Sequence, residues 1–264
     1  ILKNSEALGI EFAAVKKGMN TSDNERFLRF WFEVEEGKFG KGIKNKLQAK
    51  ESMKKWFPYN KGGGFKKWYG YNEWVINYEN DGVELQNFKA SDIRNPQYYF
   101  SDCLTWSAIG TTKPFSIRFS DYGAVFDSAG SSVFLGENNK FIYYIQGLLQ
   151  SRVANYFLKA INPTINYGAG TVSKIPLIIN EQHLEEINSL VKENINISKR
   201  NWAYLEKALE YKKHFILDYE GNLLERFNKW FEEENHSREK VLSNEIKINE
   251  IFIEIYNLQA EIDL

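Results

Sequence analysis

Phe27-Leu28-Arg29-Phe30-Trp31-Phe32-Glu33-Val34 alternates two kinds of side chain. Extended, it puts Leu28, Phe30, Phe32 and Val34 on one side and Phe27, Arg29, Trp31 and Glu33 on the other. This period of two predicts a strand with one apolar face and one mixed face. Short runs rich in aromatic and β-branched residues also lie at 10–15, 74–78, 115–119 and 124–126, with turn residues such as Asn80-Asp81-Gly82 following.

Between residues 140 and 160 the period changes. Ile142, Ile145, Leu148, Leu149, Val153, Tyr156 and Phe157 recur at helical spacing until Asn162-Pro163, which predicts one amphipathic helix packed on the sheet. Residues 175–179, Ile-Pro-Leu-Ile-Ile, fit an edge strand that begins at a proline. Beyond residue 180 nearly everything is compatible with helix, and three helices are expected, over 181–198, 199–215 and from about Leu223 onward. In the last, Val241, Glu245, Ile248, Phe252, Ile255, Gln259 and Ile262 keep heptad spacing, with two polar interruptions. Packing on neighbouring helices is favoured over a dimeric coiled coil, because three heptads are few. The expected fold class is therefore α+β. A mixed, mainly antiparallel, sheet-rich domain over residues 1–180 carries at least one packed helix, and a helical bundle or coiled-coil-like tail follows over 181–264.

Of the 264 residues, 43% are apolar and 16% aromatic, enough for a real core with a sheet-rich body. No run of about 18 apolar residues occurs, and Lys3, Glu6 and Glu11 stand where a secretory leader would be apolar, so a cytoplasmic protein without membrane contact is expected. The single cysteine, Cys103, rules out a disulfide framework, and His183, His214 and His236 lack metal-ligand spacing. The net charge of -1 hides an asymmetry. Residues 1–180 hold 23 Lys and Arg against 17 Asp and Glu, while 181–264 hold 11 against 18. Only the first part is suited to a polyanion.

Residues 38–67 carry that excess: ten lysines (38, 41, 44, 46, 50, 54, 55, 61, 66, 67) and one acid, Glu51. The lysines are interleaved with Trp56, Phe57, Tyr59, Phe65, Trp68 and Tyr69 and with Gly40, Gly42 and Gly62-Gly63-Gly64. Lysines meet phosphates, glycines let backbone N–H groups come close, and aromatic rings stack on bases or wedge a groove. A solvated loop is the ordinary explanation of a charge run, and the interleaving favours nucleic-acid binding over it.

Residues 17–29, Lys-Gly-Met-Asn-Thr-Ser-Asp-Asn-Glu-Arg-Phe-Leu-Arg, resemble the start of the target-recognition region of large adenine-specific DNA methyltransferases. The resemblance continues in order through residues 56–63, 66–70, 77–82, 105–107, 126–130 and 162–167. Over about 14–178 the chain is similar to the BREX-system methyltransferases, the PglX family. That resemblance implies transfer of a methyl group from S-adenosylmethionine to N6 of adenine in duplex DNA, as part of phage defence. Yet the chain has no Asn/Asp-Pro-Pro-Tyr/Phe motif and no Phe-x-Gly-x-Gly loop, and Asn162-Pro163-Thr164-Ile165 lacks the second proline and the ring. Gly168-Ala169-Gly170 reads as a turn. No catalytic residue and no cofactor site is therefore expected here. Catalysis is expected upstream of Ile1, and the partners expected are double-stranded DNA, that catalytic domain and other defence-system subunits.

Side-chain chemistry suggests roles within the recognition region. Arg26, Arg29 and Arg118 suit bidentate contacts to guanine or phosphate, and Asn24 and Asn60 suit adenine. Lys55, Lys61, Lys66 and Lys67 suit the DNA backbone, with Gly62 and Gly63 giving access and Trp56, Tyr59, Trp68 and Tyr69 stacking. Trp31, Trp74, Trp106 and Phe126 are better explained as core or its margin, and Asp23 and Asp127 as cap or turn residues. The competing reading is a DNA-specificity subunit of a type I-like restriction system, in which similar domains with helical spacers act with separate catalytic chains.

Overall fold

A computed structural model describes residues 5–109 and 114–263. Among these the strands are β1 (Glu6–Ala7), β2 (Ala14–Lys16), β3 (Leu28–Phe30), β4 (Trp56–Asn60), β5 (Trp74–Asn77), β6 (Cys103–Trp106), β7 (Ile117–Ser120), β8 (Val125–Phe126), β9 (Ser132–Phe134) and β10 (Pro176–Leu177). The helices are α1 (Asn24–Phe27), α2 (Lys46–Glu51), α3 (Glu79–Asn87), α4 (Ile142–Gln150), α5 (Arg152–Ile161), α6 (Ala169–Val172), α7 (Leu184–Ala203) and α8 (Leu223–Ile255). The chain is mixed α and β, and its sheets are mainly antiparallel.

Two four-stranded sheets, in the orders β3-β5-β4-β8 and β2-β9-β6-β7, face each other, and β1 pairs with β10. Alternation along β6 and β9 explains the layering. Cys103 and Phe134 point into a cluster with Phe57, Tyr59, Ile76 and Phe126 from the other sheet, while Leu104, Trp106 and Val133 point the opposite way. There they meet Ile145 and Leu148 of α4, Ile187 and Val191 of α7, and Ile248, Ile251 and Phe252 of α8. The middle sheet is thus buried on both faces, and one apolar cluster runs from it into the helices past residue 180. Gly147 lets α4 come close, since a Cβ there would lie 3.1 Å from Ile187 and 3.3 Å from Phe252.

Several expected elements differ. The alternating run at 27–34 forms only three residues of strand. Asp23 caps α1 by accepting the Arg26 N–H at 3.0 Å, and Glu33 draws in the Phe30 N–H at 2.7 Å, turning Trp31–Glu33 into a 3-10 turn. The single helix of 140–160 is two, because Ser151 is extended (ψ 162°) and its Oγ caps α5 at the Ala154 N–H. No helix fills 199–215. α7 ends at Ala203, and the next residues are claimed by tertiary contacts: Ala208 and Leu209 are buried, and Glu210 accepts from Asn72 at 2.7 Å. The last helix starts where expected, capped by Asn222 with Glu225 answering back. Its heptad seam ends with the helix at Ile255, so Gln259 and Ile262 lie past it.

The polar interruption at Glu245 has a partner on the lysine-rich segment. It accepts from Lys67 Nζ at 2.6 Å and from Trp68 Nε1 at 2.8 Å, tying that segment to α8. Removing the carboxylate strands a buried indole N–H, so Glu245→Ala is expected to cost about 1–3 kcal/mol, measured by denaturant unfolding. An unchanged midpoint would show the tie to be inert.

Candidate nucleic-acid interface

β3 is the edge of its sheet, and its register sets which side chains share a face. Leu28 lies opposite Ile76 and Phe30 opposite Trp74, while Arg29 lies opposite Val75 on the other face, with Trp56 and Pro58 of β4 on that same side. The Arg29 guanidinium is aimed by backbone, donating to Leu28 O at 2.6 Å, and lies 5.8 Å from the Trp56 ring centre. Lys55 Nζ lies 5.8 Å from the same ring. Lys41 Nζ sits 5.4 Å from Trp31 and 5.0 Å from Phe39. Trp31, Trp56 and Phe39 share one small cluster with Val75 and Leu209.

The edge continues as a row of rings. Trp31 meets Phe32 edge-on at 5.8 Å, Phe32 stacks on Phe30 at 5.3 Å, and Phe30 stacks on Trp74 at 4.2 Å. Lys61 Nζ caps the far end, 4.4 Å from the Trp74 ring, and Lys207 Nζ lies 5.6 Å from Phe30. Phe32 is 52% exposed. Cations held over half-buried rings can meet phosphates while the exposed Phe32 stays available for stacking. Burial lowers the Lys61 pKa from its ordinary value, and nearby Asp127 works against that shift.

Nine of the ten lysines of 38–67 divide by partner. Lys38, Lys44, Lys46 and Lys67 are in ion pairs with Glu35, Asp102, Asp81 and Glu245 at 2.9, 2.9, 2.9 and 2.6 Å. Lys54 donates to the Gly37 carbonyl. Lys41, Lys55, Lys61 and Lys66 each lie over a tryptophan, Lys66 over Trp202 at 5.3 Å. The local excess of positive charge is therefore smaller in the fold than in the sequence, and it concentrates at the β3 edge.

Among the residues assigned to DNA contact, Arg29, Lys55 and Trp56 share one face of the β3 edge, and Lys61 lies on the other face, over Trp74. Asn24 and Arg26 lie beside that edge on α1. Asn24 accepts from Thr21 Oγ1 at 2.8 Å, and Arg26 is held by Glu84 at 2.8 Å through Nη2 and 2.9 Å through Nε. A base contact by Arg26 would have to break that pair. Five assignments need correction because their side chains are buried: Tyr59, Asn60, Trp68, Tyr69 and Arg118. Tyr59 donates to Asp127 at 2.6 Å, and burial raises its pKa well above the ordinary value. Asn60 Nδ2 donates to Ser120 Oγ at 3.0 Å, and the Tyr69 hydroxyl donates to Glu210. The Arg118 guanidinium lies 5.2 Å from the Tyr71 ring centre, and Cys103 nearby has its thiol pushed up to about 12 by burial. Lys66 and Lys67 face α7 and α8.

The glycine-containing motifs have packing reasons as well. A Cβ on Gly18 would lie 2.0 Å from Phe126 O, and one on Gly62 would lie 2.6 Å from Ala129 O. Backbones at 18–19, 60–62 and 126–130 touch, through Met19 N–H to Phe126 O at 2.9 Å and Asp127 N–H to Asn60 O at 3.0 Å. The Gly63 N–H is already bonded to Ser107 Oγ at 2.9 Å. Phe30, Phe32, Trp31, Trp74 and Lys207 are the members of the surface that residue type alone did not single out. The 27–34 alternation held the signal, since it puts large rings on both faces of a strand.

No helix among the described residues is long and apolar enough to cross a membrane. No family model matches the chain. It is 37% identical, over 93% of its length, to the adenine-specific methyltransferase BrxX of Escherichia coli O9:H4 (strain HS). It is 32% identical, over 94% of its length, to the adenine-specific methyltransferase PglX of Lacticaseibacillus casei (strain Zhang). The chain covers 19% of the first and 21% of the second, so it spans about a fifth of these curated relatives.

Proposed function

We propose that this chain, a homologue of one segment of the BREX adenine-specific methyltransferases, is the part that recognises double-stranded DNA for the parent enzyme. The observation that carries this reading is the β3 edge, where Arg29, Lys41, Lys55 and Lys61 lie over half-buried tryptophans beside Phe30 and the exposed Phe32. Lys41, Lys55 and Lys61 neutralise backbone phosphates, and Arg29, fixed by its own backbone carbonyls, presents the rest of its fork to a guanine edge or a phosphate. Residues 1–180 form the recognition domain and 181–264 the helical docking part. Methyl transfer to adenine N6 from S-adenosylmethionine, in phage defence, belongs to the parent protein.

The test is fluorescence anisotropy with a labelled 30-base-pair duplex and the 264-residue chain. With five cations at the edge, counting Lys207, log affinity should fall against log salt with a slope of about -4.5, by the rule of about -0.9 per phosphate contact. Calorimetry on the same chain should show no micromolar binding of S-adenosylmethionine. Absence of duplex binding at low salt would contradict the recognition role, and tight cofactor binding would contradict the division of labour.

A further inference from the structure

A cleft of about 520 Å3 lies between the end of α7, the irregular stretch after it and the first turns of α8. Its walls are aromatic: Trp202, Tyr204, Phe215 and Trp230, with Phe215 stacked on Trp230 at 4.2 Å and Tyr204 edge-on to Phe215 at 6.0 Å. Its polar lining is rich in acceptors. Glu73, Glu206 and Glu234 line it together with Lys207 and His214, and Asn201 Oδ1 is buried with no hydrogen-bond partner among the described residues. Three carboxylates outnumber Lys207, and with an unsatisfied amide oxygen and ring faces they favour a cationic donor over a phosphate. Lys66 shows the preference within the chain itself: its ammonium lies over Trp202 and is attracted by Glu234.

The cleft continues into an exposed apolar stripe. Trp230 meets Phe227 at 5.6 Å, Phe227 stacks with Phe231 at 6.1 Å, and Leu223 and Leu224 lie one turn earlier on α8, all four beyond Trp230 being exposed. Leu205, on the cleft's rim, is exposed too. Burying such a stripe takes apolar side chains from outside, and the acidic balance of 181–264 sets the charge that must accompany them.

We propose that the cleft and stripe form a docking site for a basic amphipathic polypeptide segment, which places an arginine or lysine against Glu206, Glu234 and Asn201 and lays apolar residues along Leu224, Phe227 and Phe231. The site borders the DNA face, since Lys207 lines the cleft and also lies over Phe30, so the variants that test it leave Lys207 in place. The mode is helix-in-groove recognition with a charged anchor.

The probe is a 14-residue amidated peptide of leucine and arginine at helical spacing, titrated into the 264-residue chain and followed by tryptophan fluorescence. Saturable one-to-one binding is expected, with none for the counterpart carrying glutamate in place of arginine. Glu206→Gln with Glu234→Gln should weaken binding at least about tenfold, because a desolvated cation loses its partners. Phe227→Ser with Phe231→Ser should weaken it comparably and keep the parent's melting temperature, since both rings are exposed, and Glu206→Gln alone, at an exposed carboxylate, should weaken binding without the loss of the Glu234–Arg238 ion pair. Equal binding of the two peptides, or unchanged affinity in both double variants, would overturn the proposal. So would spermidine binding as tightly as the peptide, which would assign the cleft to a free polyamine.

Discussion

Replacing Arg29, Lys41, Lys55 and Lys61 together by alanine should flatten the salt dependence of duplex binding by about 3.6 units, four contacts at roughly -0.9 each. Lines of different slope that converge near 1 M salt separate by that many decades at 0.1 M, so affinity there should fall by about four thousandfold. A matched variant with alanine at Lys192, Lys229, Lys240 and Lys247, on α7 and α8, removes the same charge and should leave the slope nearly unchanged. Titration of both variants across 50–300 mM salt makes the comparison. Equal slopes in the two would mean that only net charge acts and that the β3 edge is not the contact. Arg29→Ala alone should also relax sequence preference, because one bidentate base contact is worth about 1–3 kcal/mol of discrimination.

The second large effect concerns what holds the DNA-facing sheet in place. Phe252 is fully buried, packs against Tyr144 of α4 at 5.3 Å and belongs to the cluster that joins the middle sheet to α7 and α8. Phe252→Ala leaves a cavity there and should cost about 3–5 kcal/mol. Phe231 is on the same helix but 49% exposed, and Phe231→Ala should stay within about 0.5 kcal/mol. Denaturant unfolding separates the two. Comparable small costs would mean that α8 is an appendage and that the sheets stand without it.

The sequence was legible where local chemistry and tertiary structure agree. Asn222 followed by Glu225 starts α8, Ile248 and Phe252 mark its buried side, and Trp74 to Asn77 forms the strand its composition implies. It was misleading where they compete. β4 contains Pro58, which argues against an interior strand, yet β8 pairs only with Tyr59 and Asn60 beyond the proline. β6 interleaves Cys103 and Thr105 with Leu104 and Trp106, and because both of its faces are buried no polar-out pattern marks it. Residues 199–215 have helix-compatible side chains, but Trp202, Leu209 and Glu210 bind elsewhere in the fold and stop the helix.

For the interface, residue type revealed a basic aromatic segment but not its division. Trp56 and Trp68 have similar neighbours in sequence, and one ends half-exposed beneath Arg29 while the other is buried and bonded to Glu245. Lys61 and Lys67 divide in the same way, over Trp74 and onto Glu245. Which side of β4 or of the following loop faces the core depends on tertiary partners, from Arg29 and Trp74 to Glu245, and no local period encodes that.

The most direct measurement is a lysine footprint of the 264-residue chain on a mixed-sequence 30-base-pair duplex, comparing reductive methylation of each ε-amine in the free and bound states by mass spectrometry. Lys41, Lys55 and Lys61 are predicted to lose most of their reactivity on binding, while Lys229, Lys240 and Lys247 on α8 react as in the free chain. Protection confined to α8, or no protection at the β3 edge under conditions where the duplex is bound, would contradict the assignment of that edge as the DNA-recognising surface.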